Sequence, residues 1–408
     1  MRKQTRRTGT AGVLLATCVW SAPASAQNVQ TYVTVSAGTG YSSNPYLELS
    51  DGRSRSSFEA YIQADPVVAV RGATTDLDLK GNLRFGRHFE RYGNDWHARV
   101  MANAKKRFSE RLEANIGGYF SNSRTAELDG ILDSPTVLLP DGSLPDFPSP
   151  DVSVAGLNTR KTMYGGSGSL SYVISSRDTI TVGGGYEDLS FRDVRASDYN
   201  RISGFAQYER RLTDSMAILV NGSLSSTNYS LQQAGDTKTY SAMAGVDWKL
   251  SQTAKAKIML GFSRVNIDLP PGLDGSGTAL VGEASYCDKL AGGSVCLSAS
   301  RDTTPSGFNG TTRNDSVSIG YSRDLNERES VWFNVQYSHL NLFLENWIAD
   351  TPFGSDYYGA SASYSRVLGE RFRMFITPSV SKVSNGAGTR KPNFAVMVGI
   401  SKTFGDKN

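Results

Sequence analysis

Charged side chains spaced two residues apart are the first feature of this chain able to do chemistry. In "DLDLKGNLRF" (76–85), Asp78, Lys80, Asn82 and Arg84 fall on one side of an extended chain. Leu77, Leu79, Gly81, Leu83 and Phe85 fall on the other. "DWHARVMANAK" (95–105) sets His97, Arg99, Met101, Asn103 and Lys105 against Trp96, Ala98, Val100, Ala102 and Ala104. The same reading puts Lys255, Lys257 and Arg373, with Glu113, Glu209 and Asp247, on the polar side. Groups arranged like this line a surface; they do not converge on a reacting atom. A basic excess along an enclosed polar surface raises the local concentration of anions. A solvated face with no selectivity is the plain alternative.

Catalytic and metal-binding patterns are thin. The three histidines sit in "HFE" (88–90), "HAR" (97–99) and "HLN" (339–341), so none makes the His-x-Ser pair in which histidine activates serine. Glu187 and Asp188 are consecutive, which sends them to opposite faces of a strand. No P-loop, dinucleotide fingerprint or basic–aromatic nucleic-acid patch is present, and no cofactor or metal is expected. Nucleic acid is not an expected partner of a chain whose net charge is +4. Beyond Cys18, the only cysteines are Cys287 and Cys296, flanking "DKLAGGSV" in what reads as one hairpin. An oxidising compartment favours a disulfide between them, and two free thiols are the alternative. The register depends on whether the turn centres on Ala291–Gly292 or Gly292–Gly293.

The elements that position these residues are strands. Helical periodicity is hard to find, and no later stretch is apolar for the length of a transmembrane helix. Period-two alternation recurs instead, as in "YSAMAGVDWKL" (240–250), "SVWFNVQYS" (330–338) and "NFAVMVGISKTF" (393–404). It is weakest over 278–312. A soluble sandwich and a barrel in lipid both alternate. The polar faces here carry mid-strand charge or consist of Gly and Ser, as in "GGSGSLSY" (165–172), and Trp248, Tyr321, Tyr337, Tyr364 and Phe404 lie near turns. Both features favour the barrel.

Eight short connections (72–76, 107–111, 175–178, 212–215, 250–254, 291–294, 325–329 and 368–371) interleave with nine longer ones, the longest at 123–158. The expectation is an all-β fold: a transmembrane antiparallel β-barrel of about 18 strands, with short periplasmic turns and long extracellular loops. Residues 1–26 read as an export signal: Arg2, Lys3, Arg6 and Arg7, then "AGVLLATCVW" (11–20), then "ASA" (24–26). A lipoprotein reading through "LATC" (15–18) stays open. Residues 27–408 form the barrel, placed in the cell outer membrane among lipid and lipopolysaccharide.

Gly399 and Phe404 resemble the C-terminal signal by which the outer-membrane assembly machinery recognises its clients, although Lys402 stands where that pattern is usually apolar. "VSAGTGYSSNPYLE" (35–48) resembles the first strand and loop of a family of outer-membrane β-barrel porins often found with exopolysaccharide export systems. The resemblance implies a channel, with polysaccharide export components as partners. The expectation is a non-enzymatic pore for hydrophilic, mildly anionic solutes, lined by Lys80, Arg84, Arg99, Lys105, Lys257, Arg373, Asp78 and Asp247. A structural or adhesive barrel with a closed lumen is the alternative. In general porins the third loop folds inward. By similarity Asp129, Asp133, Asp141 and Asp146 in 123–158 would face Arg84 and Arg99 in a constriction, and an ordinary surface loop is the alternative.

Overall fold

Alternation with period two leaves each strand one apolar and one polar face, and only a closed sheet can hide both strand edges from lipid. The computed structural model describes residues 28–48, 55–125, 151, 154, 157–192, 196–231, 235–268, 275–307, 310–343, 354–385 and 390–406. They form one antiparallel sheet of 18 strands. In chain order these are β1 (Asn28–Ser42), β2 (Ser57–Arg71), β3 (Thr75–His88), β4 (Gly93–Arg107), β5 (Leu112–Arg124) and β6 (Arg160–Val173). Next come β7 (Asp178–Phe191), β8 (Tyr199–Arg211), β9 (Met216–Tyr229), β10 (Asp236–Lys249), β11 (Ala254–Asp268) and β12 (Gly275–Leu290). The last six are β13 (Gly293–Ser306), β14 (Gly310–Asn326), β15 (Glu329–Leu342), β16 (Ser355–Val367), β17 (Phe372–Asn385) and β18 (Asn393–Asp406). Each strand pairs with its chain neighbours, and β1 pairs with β18 from Thr31↔Asp406 to Ser42↔Ala395, closing the ring. The export signal expected at 1–26 lies outside the described residues.

The apolar faces look outward. Leu79, Leu83, Ile116, Ile202, Leu224, Leu260, Phe262 and Ile400 are all exposed, Leu260 and Phe262 by 60% and 64%. A soluble core would have buried such side chains; here hydrocarbon covers them. Aromatic side chains rim the band: Trp248, Tyr286 and Phe404 near the short turns, and Tyr41, Phe58, Trp96, Tyr240 and Tyr358 toward the other end. Lys402 keeps its place on this face by lying along it, with Nζ 4.8 Å from the Phe372 ring centre and 5.0 Å from that of Phe404. A sealed antiparallel cylinder banded in this way belongs in the outer membrane, and that is where this chain resides.

One seam departs from a plain cylinder. β12 and β13 are paired from Leu290↔Gly293 only as far as Gly282↔Arg301. Beyond that, 275–281 pair only with β11 and 302–306 only with β14. The freed end of β13–β15 curls inside its neighbours. Thr311 Oγ1 donates to Thr237 Oγ1 of β10 at 3.0 Å. Phe343, just past β15, has a ring carbon 2.7 Å from where a Cβ on Gly277 of β12 would lie. Gly307 accepts from Ser197 N at 2.5 Å and donates to Asp151 Oδ2 at 2.7 Å. The wall therefore overlaps itself at the extracellular end, and the ring of ladder bonds is complete only below that level.

Candidate functional site

Strand geometry decides which side chains face the lumen. On β3, exposed Leu79, Leu83 and Phe85 look to lipid, so Asp78, Lys80, Asn82 and Arg84 look inward. By the same parity Arg99 and Lys105 on β4, Asp247 on β10, Lys257 on β11 and Arg373 on β17 face the interior. About half of these charges are answered locally: Asp78, Arg84, Lys105 and Lys257 each meet an opposite charge. Arg84 Nη2 lies 2.9 Å from both oxygens of Glu59 and its guanidinium carbon 4.3 Å from the Tyr61 ring centre. Lys105 meets Glu113 at 2.8 Å, Lys257 meets Glu283 at 2.6 Å, and Asp78 meets Arg71 at 2.6 Å. Among the described residues, Lys80, Lys255, Arg373 and Asp247 have no such partner. Asp129, Asp133, Asp141 and Asp146 lie outside the described residues.

The wall of β13–β17 is mostly hydroxyl-bearing, with Arg373 as a charge near its short-turn end. Inward hydroxyls on β13–β17 bond across the strands: Ser294 with Ser322 at 2.9 Å, Ser298 with Ser318 at 2.6 Å, Ser300 with Ser316 at 2.7 Å and Ser330 with Ser365 at 2.8 Å. Thr377 donates to Ser363 at 3.0 Å. A recess of about 490 Å³ near the short-turn end is bounded by Ser294, Ser322, Trp332, Ser363, Ser365 and Arg373. The lumen thus has an ionic side on β2–β4 and a hydroxyl side on β13–β17.

Three inward aromatic rings lie over a glycine of a neighbouring strand. Tyr119 covers Gly165, Phe205 covers Gly183 and Phe375 covers Gly399, with ring atoms 2.6–2.7 Å from where a Cβ would sit. Glycine is required at those positions because the ring occupies the Cβ volume. This gives Gly399 a packing task within the barrel. Phe404 faces lipid near the short-turn end. Glu187 faces inward and accepts from Tyr119 Oη at 2.7 Å and Tyr199 Oη at 3.1 Å, whereas Asp188 faces outward and accepts from Tyr186 Oη at 3.1 Å.

Cys287 and Cys296 are directly opposed on β12 and β13 and joined by a 2.09 Å S–S bond. The turn is Ala291–Gly292, closed by Leu290↔Gly293, with Gly292 at φ +78°. Among the described residues no cluster of His, Cys, Asp and Glu could hold a metal ion.

No family model and no curated protein matches the sequence. Among solved structures the chain is similar to Pseudomonas aeruginosa OccK2 (OpdF), at 12% identity over 92% of this chain and 98% of that one, with a TM-score of 0.44. A BenF-like porin from Pseudomonas fluorescens Pf-5 gives 10% identity over 93% and 99%, TM-score 0.44. Pseudomonas aeruginosa OpdL gives 9% identity over 93% and 99%, TM-score 0.44.

Sequence reasoning did not identify Glu59 as the counter-charge of Arg84, the continuity of the hydroxyl wall, or the buried residues at the mouth. The last include Tyr46 and Leu47, an apolar pair inside a polar connection, which is the signal that could have found them.

Proposed function

We propose that this protein is an outer-membrane pore for hydrophilic solutes. The observation that supports this reading is the sorting of side chains on a closed wall: apolar groups outward, ion pairs and hydrogen-bonded hydroxyls inward. A barrel of this strand number is too wide for its own side chains to fill, so water occupies the passage. Among the described residues, Lys80, Lys255 and Arg373 are lumen cations without a partnered carboxylate, Asp247 is a lumen carboxylate without a partnered cation, and this balance gives the lumen a mild preference for anions. Because Arg84, Lys105 and Lys257 carry counter-charges, that preference is smaller than a count of lumen cations implies. No observation among the described residues supports polysaccharide export as the setting. Lipid, lipopolysaccharide and the assembly machinery are the partners such a barrel requires.

Planar-bilayer recording of the purified protein tests the proposal. Reproducible open channels, with a modest reversal-potential shift toward anions in a salt gradient, are expected. A protein that inserts and stays silent supports the alternative, a structural barrel with a closed lumen, for which the inward-curled end of β13–β15 is the favouring observation.

A further inference from the structure

Residues 43–48, directly after β1, do not rise away from the barrel; they turn across the mouth. Asn44–Pro45–Tyr46–Leu47 forms a β-turn, with Leu47 N bonded to Asn44 O at 3.0 Å and proline in the second position, where its fixed φ fits. Asn44 braces the turn through its side chain, accepting from Glu48 N at 3.2 Å and donating to Lys391 O at 3.1 Å. The two residues at the far side of the turn then go separate ways.

Tyr46, 2% exposed, enters the wall of β3–β5. Its hydroxyl donates to Asp95 Oδ2 at 2.8 Å, its ring stands edge-on to Tyr92 at 4.6 Å and His88 at 5.6 Å, and Arg124 lies 4.8 Å above it. Asp95 is itself held by Arg124 at 3.0 Å and Arg160 at 2.6 Å. Leu47, 1% exposed, packs instead with Leu340, Tyr357 and Val383 of β15–β17. Those three share the inward parity of the serine wall, so the cluster lies inside the cylinder. Consecutive side chains therefore grip inner walls on the two sides of the β18–β1–β2 sector.

Glu48 ties the far end down, accepting from Asn158 Nδ2 at 2.7 Å and Tyr92 Oη at 3.3 Å and pairing with Arg55. Among the described residues, only Leu47, Tyr92 and Asn158 are non-glycines with left-handed φ, at 49°, 73° and 49°. One is in this turn and the other two bond its Glu48. Backbone held in that region persists where its surroundings over-determine it, and such places tend to be functional.

We infer that the Asn44–Glu48 turn is a fixed crossbar that sets the size limit of the extracellular mouth, with Tyr46 and Leu47 as its anchors. The inference rests on the pore reading above and adds the residues that decide how large a solute passes. It predicts a steady restriction, not a swinging lid, because both anchors are buried and the turn is braced from three connections.

The test compares wild type with a Tyr46→Ala/Leu47→Gly double variant and with Tyr46→Phe, each checked for folded migration on unheated gels. Glycine accepts the left-handed φ at 47, so that substitution removes the anchor without straining the backbone. The double variant is expected to raise single-channel conductance about threefold and to admit larger polyethylene glycols, since conductance follows pore cross-section; Tyr46→Phe, which keeps the ring, is expected to stay near wild type. A wild type that conducts with an unchanged double variant overturns the crossbar and leaves the pore standing. Silence in both overturns the pore reading and the size limit with it, whereas a silent wild type with a conducting variant supports the crossbar as the closing element. Independently of conductance, a Leu47→Cys/Val383→Cys pair is expected to cross-link on oxidation, and failure to cross-link overturns the placement.

Discussion

Glu59 holds Arg84 with both carboxylate oxygens 2.9 Å from one guanidinium nitrogen, so the lumen cation most evident in the sequence brings its own counter-charge. A bound carboxylate cancels most of the field an arginine would present to a passing anion. Glu59→Gln is therefore expected to raise anion selectivity by releasing Arg84. Lys80→Glu is expected to lower it more than Arg84→Ser does. Reversal potentials in a tenfold salt gradient check the order, and an Arg84→Ser effect larger than that of Lys80→Glu would contradict it.

Phe375 on Gly399 makes a second test. A methyl at 399 would meet the Phe375 ring 2.6 Å away and the Ala37 carbonyl 2.8 Å away. Overpacking of this kind costs about 1–3 kcal/mol. Gly399→Ala should lower the temperature at which the folded band is lost on gels, and adding Phe375→Leu should restore part of it. If the glycine acted only in recognition by the assembly machinery, the second substitution would restore nothing.

The Cys287–Cys296 bond closes a short hairpin, with nine residues of sequence separation. By loop-closure entropy its removal costs about 2.5 kcal/mol, as an upper figure because β12 and β13 remain paired around it. Cys287→Ser/Cys296→Ser should unfold at lower denaturant than wild type, and reductant should shift only the wild type.

The overlap at the β12–β13 seam predicts a cross-linking pattern. Thr237→Cys with Thr311→Cys should form a disulfide, because the native hydroxyls are 3.0 Å apart. Ala279→Cys with Thr304→Cys, which would face each other were the ladder continued, should not. The reverse outcome would show a seam zipped to its end.

Asp198, in the connection before β8, has its carboxyl pushed above the usual range, chiefly by burial, against the pull of the Phe191 N–H bonded at 2.7 Å. The unfolded chain then loses its proton first as pH rises. Stability from this group is highest below the unfolded carboxylate range and falls as pH climbs through the higher folded value. Asp198→Asn keeps an acceptor for Phe191 N and should flatten that decline above the usual carboxylate range, as read by denaturant midpoints.

Much of this architecture is legible in the sequence, and the places where it is not have physical reasons. Strand number and connections follow from alternation, since Leu77 to Phe85 or Phe394 to Ile400 can lie only on the lipid side once the sheet closes. Alternation fades over 278–312, the stretch that splits and curls inward; there Thr303, on the outward parity, is 4% exposed because the curled wall is covered by its neighbours. Counter-charges such as Glu59 for Arg84 are invisible without register, which sets residues far apart in sequence side by side. The turn at 44–48 is invisible for another reason: Tyr46 and Leu47 read as stray apolar residues in a loop until both inner walls are in place.

Which face of each strand meets water separates a pore wall in lipid from every other arrangement of these strands. Single cysteines at Leu79, Lys80, Asn82, Leu83, Arg84 and Phe85, in a background lacking the native pair, can be challenged in intact outer membranes with a charged, membrane-impermeant thiol reagent. Labelling at 80, 82 and 84 with protection at 79, 83 and 85 is the predicted pattern; labelling at 79, 83 and 85 with protection at the charged positions would contradict it.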